Sequence, residues 1–215
     1  MIQTSSDIDL SKKLIKWYST NKRDLPWRKT KDPYSVWVSE IILQQTRIET
    51  GIRYYLNFIK KYPNVKFLAR SSKQQLLKSW EGLGYYARCR NFYKSSIIVQ
   101  SKYKGKIPKD WDTFRSLPGV GEYTASAVLS IAYGLPYSVI DGNVKRVGSR
   151  LLGMKNVTSR NISIIKNTLD RLIDKQQPGD FNQSIMELGA LVLSLIHISE
   201  PTRQAEISYA VFCLK

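Results

Sequence analysis

Residues 1–193 contain no histidine and only one cysteine, Cys89; His197 and Cys213 lie beyond them. That excludes a Ser-His-Asp triad, a Cys-His pair and a His-ligated metal from the body of the chain, leaving carboxylates and tyrosines to carry any chemistry. Two carboxylates have informative settings. Glu40 sits in SVWVSEIILQQT, a very apolar helical stretch in which Val36, Val38, Ile41, Ile42 and Leu43 form the buried part. Desolvation among branched aliphatics raises a carboxyl pKa towards the range of a general acid. Equally, Glu40, Gln44 and Arg47 recur at about helical spacing, so an exposed glutamate paired with Arg47 is the alternative. Asp141 opens DGNVKRVGSR, where its side chain caps backbone amides, and capping alone would explain an aspartate there.

Around these two lie features suited to a polyanion. Pro118-Gly119-Val120-Gly121 is a tight turn before a helix over 122–133, and amides converging at a helix start favour an anion. Arg23-Asp24-Leu25-Pro26-Trp27-Arg28 is an irregular turn holding two guanidiniums and an indole, which suits contact with a base or sugar. The alternative has Trp27 plugging the core and the arginines solvated. Gly82-Leu83-Gly84-Tyr85-Tyr86-Ala87-Arg88 places two aromatics on a glycine-flexed turn, suiting a ring inserted into a base stack and an arginine on phosphate. Aromatics at helix starts also serve as core. The net charge of +17, from 34 basic against 17 acidic residues, exceeds what solubility requires and points to a polyanionic partner, alongside a lysine-rich compositional bias.

These blocks have a common precedent. LPGVGEYTASAVLS followed by DGNVKRV closely resembles the helix-hairpin-helix DNA glycosylases, specifically the adenine-removing (A/G-specific) branch, and LPWR, SEIILQQT and GLGYYARCRN match it in the same order. The resemblance runs from about Leu14 to Val192. It implies hydrolysis of the N-glycosidic bond of adenine mispaired with 8-oxoguanine or guanine in double-stranded DNA, the adenine flipped out of the duplex. Glu40 would be the catalytic acid. Asp141 would stabilise the oxocarbenium-like sugar, its cap keeping it ionised while Glu40 stays protonated, with Asn143 and Tyr123 assisting. Arg23, Trp27, Arg28 and Gln183 would line the adenine pocket, an amide such as that of Gln183 being able to pair with adenine's edge. Gln44 and Gln45, the latter a duplex probe, Tyr85 as a wedge with Tyr86 in the core, Arg88, the Gly119–Val120–Gly121 amides, Lys145 and Arg146 would contact DNA. Related enzymes that also cut the backbone carry a lysine where Tyr123 stands; a phenol forms no Schiff base, so the resemblance implies a monofunctional enzyme and disfavours a bifunctional pyrimidine-lesion glycosylase.

The match breaks at one position. Intact members continue LGALVC with three more cysteines that ligate a [4Fe–4S] cluster, whereas Leu193 occupies the first ligand position here and no cluster is expected to bind. Residues 194–215 resemble translated sequencing-adapter read-through, the alternative being a divergent tail. The family's C-terminal lesion-reading domain is also expected to be missing, so a catalytically impaired DNA-binding fragment is a second functional reading.

The elements that must position these residues are all helical. Apolar spacing predicts helices over 7–21 (capped by Ser5 or Ser6), 35–46, 49–61, 65–71, 73–80, 86–103, 122–133, from Asp141 onward, 159–175 and 180–192, with no competing strand pattern. The expected fold is all-α and two-lobed: a helical barrel over 28–136 carrying the hairpin, and a second lobe from 1–27 and 137–193 holding the incomplete iron–sulfur module. With no apolar run of transmembrane length and no signal-like start, a monomeric, cytoplasmic, nucleoid-associated protein is expected.

Overall fold

A computed structural model describes residues 4–154 and 158–193; the expected tail, with His197 and Cys213, lies outside the described residues. Among the described residues every regular element is helical. The chain divides into two compact units, Asp24–Tyr133 on one hand and the stretches up to Arg23 and from Gly134 onward on the other.

Asp24–Tyr133 holds a turn of 3-10 helix (Pro26–Lys29) and seven α-helices: α2 (Pro33–Leu43), α3 (Ile48–Lys61), α4 (Val65–Arg70), α5 (Lys73–Ser79), α6 (Tyr86–Tyr103), α7 (Trp111–Arg115) and α8 (Glu122–Tyr133). Helix α2 is apolar on every side and is accordingly buried. Its Trp37 meets Phe92 and Phe114 edge-on, at ring separations of 4.8 and 5.2 Å. Small residues on α8, Ala125, Ser126, Ala127 and Ser130, are buried and let that helix lie close against α2. The hairpin turn before α8 requires glycine: Gly119 has φ +78°, and a Cβ there would lie 2.7 Å from Asn91 Cβ. Gly119→Ala should therefore destabilise the unit by about 2 kcal/mol, read as a lowered urea midpoint; an unchanged midpoint would mean the turn relaxes freely.

The other unit is built from α1 (Ser5–Asn21), α9 (Gly142–Leu151), α10 (Ser159–Leu172) and α11 (Pro178–Leu191). Leu14, Val144, Ile165, Leu169, Leu172, Phe181, Ile185 and Leu188 form its core.

Several ends differ from the sequence reading. Thr4 caps α1 in a reciprocal box with Asp7, displacing the expected Ser5 or Ser6. Helix α2 covers 33–43 where 35–46 was expected. Asp32 accepts from Ser35 N to start it, and a left-handed Gln45 (φ 56°) ends it before Thr46. Helix α10 stops at Leu172 because Asp174 turns the chain by accepting from Gln176 N and Gln177 N, and Pro178 then opens α11 two residues earlier than expected.

Candidate active site

The most informative contact joins α2 to α8. Glu40 is 7% exposed, and the Tyr123 hydroxyl donates to its Oε2 at 2.7 Å. The exposed Glu40–Arg47 pairing is thereby corrected: the helix ends at Leu43, and Arg47 becomes the residue preceding α3. A buried carboxyl group able to give up a proton, with a phenol placed to stabilise the resulting anion, is equipped for general acid chemistry. Beside it, Gln44 Nε2 donates to Thr124 Oγ1 at 3.3 Å, tying the end of α2 to the first turn of α8. Gly119 and Gly121 are exposed, but Val120 is buried and its N–H donates to Leu117 O, so that amide does not face outward as expected.

Gln45 and Tyr85 are both exposed and both left-handed, with φ of 56° and 46°. Tyr85 is 60% and Tyr86 38% exposed, which corrects the expectation of Tyr86 in the core. Arg88, expected to contact phosphate, is half-buried. Its guanidinium donates to the carbonyls of Ile41 (2.9 Å), Ile42 (3.1 Å), Gln44 and, more weakly, Leu83 (3.4 Å), and burial lowers its pKa from the ordinary arginine value.

Trp27 is buried with its ring edge-on to Tyr55 at 5.4 Å, while Arg28 is half-buried on the same 3-10 turn.

In the other unit, Asp141 caps α9. Its Oδ1 accepts from Val144 N at 2.7 Å and its Oδ2 from Asn143 Nδ2 at 3.0 Å. Arg146 donates to Asn143 Oδ1 and to Gly189 O, so the guanidinium sets which face of the Asn143 amide is turned towards Asp141. Lys145 and Gln183 are half-buried. Arg23 donates from its backbone N, Nε and NH2 to Glu187, which is 1% exposed; the contacts are 2.7–2.9 Å.

Glu187 was missed by the sequence reading, although a lone charge in the apolar run SIMELGALV was the available signal. So was Asn182, whose side chain accepts from Val139 N and donates to Tyr137 O, pinning the segment that leads into Asp141. Gly189 completes the set: a Cβ there would lie 2.7–2.9 Å from Asn143 Cβ, O and Cα.

The described residues do not fit an iron–sulfur cluster. Leu193 is buried at 2% exposure and offers no thiolate, and no group of three His, Cys, Asp or Glu side chains is placed to hold a metal among them. Cys89 is buried in the unit that contains α2, where burial pushes its thiol up to about 12.

Known proteins are similar to this chain in sequence and architecture. The chain is 40% identical over 186 residues to an adenine DNA glycosylase of Buchnera aphidicola subsp. Acyrthosiphon pisum, a match covering 85% of this chain and 53% of that protein. It is likewise 40% identical over 190 residues to the human adenine DNA glycosylase, covering 83% of this chain and 35% of that one. It thus spans about half the length of the first of these relatives. The structure of a thermostable thymine-DNA glycosylase superposes with a TM-score of 0.81 at 26% identity, covering 89% of each chain. Residues 38–172, which include Glu40, the hairpin and Asp141, match the HhH-GPD superfamily base excision DNA repair protein family, and the chain belongs to that family.

Proposed function

We propose that this chain is the catalytic portion of a monofunctional adenine DNA glycosylase acting on double-stranded DNA at adenine opposite 8-oxoguanine or guanine. The observation that carries this reading is the buried Glu40 with the Tyr123 phenol on its carboxylate. Glu40 gives its proton to a ring nitrogen of adenine. The N9–C1′ bond then breaks, its electron pair leaving with the base, and the sugar becomes an oxocarbenium-like cation. The Asp141 carboxylate is assigned the stabilisation of that charge, held by Val144 N and by an Asn143 amide that Arg146 orients. Water adds to C1′ and loses a proton, leaving an abasic site. Tyr123 has no amine to attack the sugar, so the reaction stops there. Arg23, Trp27, Arg28 and Gln183 are assigned to the adenine pocket, and the +17 charge supplies affinity for phosphate.

The test is single-turnover adenine release from an 8-oxoguanine:A duplex, with and without hot alkali. Strand cleavage only after alkali is expected. Cleavage without alkali would refute the monofunctional reading. Salt-sensitive binding without any cleavage would favour the second reading, a DNA-binding fragment, which is supported by a buried leucine, Leu193, where the family resemblance implies a cluster ligand.

A further inference from the structure

Three non-glycine residues of the Asp24–Tyr133 unit hold left-handed backbones and exposed side chains: Lys104, which closes the C-terminus of α6, and Gln45 and Tyr85. Such a conformation costs about 1 kcal/mol or more per residue and persists only where the surroundings enforce it. One side chain is in contact with both the Gln45 and the Tyr85 turns. From the first turn of α6, Arg88 reaches the carbonyls of Ile41 and Ile42 in the last turn of α2 and that of Gln44, which follows the helix immediately before Gln45. Its other terminal nitrogen reaches Leu83 O, two residues before Tyr85, and the guanidinium lies 5.5 Å from the ring centres of both Tyr85 and Trp80. Trp80 Nε1 in turn donates to Gly84 O at 3.1 Å, closing the second turn from beneath.

We propose that Arg88 is a positioning residue: a buckle that caps α2 and fixes the Gln45 and Tyr85 turns as one rigid tip for entering a DNA base stack. This rests on the DNA-glycosylase reading, and it replaces the phosphate contact inferred from sequence. The guanidinium's planar fork is what the arrangement uses, since an ammonium is a single point donor that cannot reach carbonyls on both turns. The positive charge also offsets the negative end of the α2 dipole.

Arg88→Lys is the discriminating variant, because it keeps the charge and loses the fork. In the free protein, hydrogen exchange at the amides of 44–46 and 84–86 should rise in both turns together, with α8 unchanged. On a duplex carrying 2-aminopurine at the target adenine, the fluorescence rise on unstacking should fall by about tenfold or more, because a small misplacement at a reacting site carries a large penalty. The slope of log affinity against log salt should equal the parent's. A slope smaller by about one with unstacking retained would make Arg88 a phosphate contact and overturn the proposal. Exchange rising in one turn alone would also overturn it, and that measurement stands even if Arg88→Lys weakens the fold of neighbouring helices. Neither readout needs bond cleavage, so a parent protein that unstacks the base without releasing adenine would refute the glycosylase activity and leave the buckle standing.

Discussion

Glu40→Gln is expected to lower single-turnover adenine release by about 10²–10⁴-fold while duplex affinity stays within about threefold of the parent. The amide matches the carboxyl in size, and its oxygen still accepts from the Tyr123 hydroxyl, so the packing between α2 and α8 is retained. What disappears is the transferable proton. Without it adenine must depart as an anion. An equal loss of binding and release would show that Glu40 serves structure and would remove the acid assignment. A variant as active as the parent would remove it more directly.

The largest stability effect is expected from Arg23→Ala, at about 3–5 kcal/mol, measured as a fall in the urea midpoint of unfolding. Glu187 is 1% exposed on α11, and the Arg23 Nε and NH2 satisfy one oxygen each. Removing the guanidinium takes the opposing charge away from a carboxylate in a closed interior, where the remaining Arg23 backbone N–H offsets less of its desolvation. The paired change Arg23→Met with Glu187→Leu should recover most of the loss, since neither charge is then left buried. If Arg23→Ala instead leaves the midpoint within about 0.5 kcal/mol and only slows adenine release, the ion pair is a minor support. Arg23 would then be retained for the substrate.

Which parts of this were legible beforehand follows from the range of each interaction. Helices α3 to α6 appear within one residue of their expected positions, because apolar spacing and the Pro63, Gly82 and Gly84 breaks are local signals. Asp141 as a cap was readable for the same reason: the amide it binds lies three residues away. The end of α2 was not readable. Its periodicity continues through Gln44 and Arg47, and what stops it is a guanidinium 44 residues downstream together with a left-handed Gln45. Tyr86 was misplaced because an aromatic at a helix start reads equally well as core or surface until its neighbours are known.

Sequence alone determined the all-helical class, the glycine at 119 and the chemistry available: carboxylates and phenols, a strong positive charge, and leucine where a cluster ligand would stand. Apart from the last, which rests on family resemblance, these depend on residue identity and on neighbours within a turn or two. Only the tertiary structure decided the partners. It placed the Tyr123 hydroxyl on Glu40 across 83 residues of chain, closed Arg23 onto Glu187 across 164, and turned Arg88 inward onto four carbonyls. Long-range pairs of this kind are set by how helices pack and by the requirement that a buried charge or carbonyl find a partner, and neither leaves a mark in local spacing.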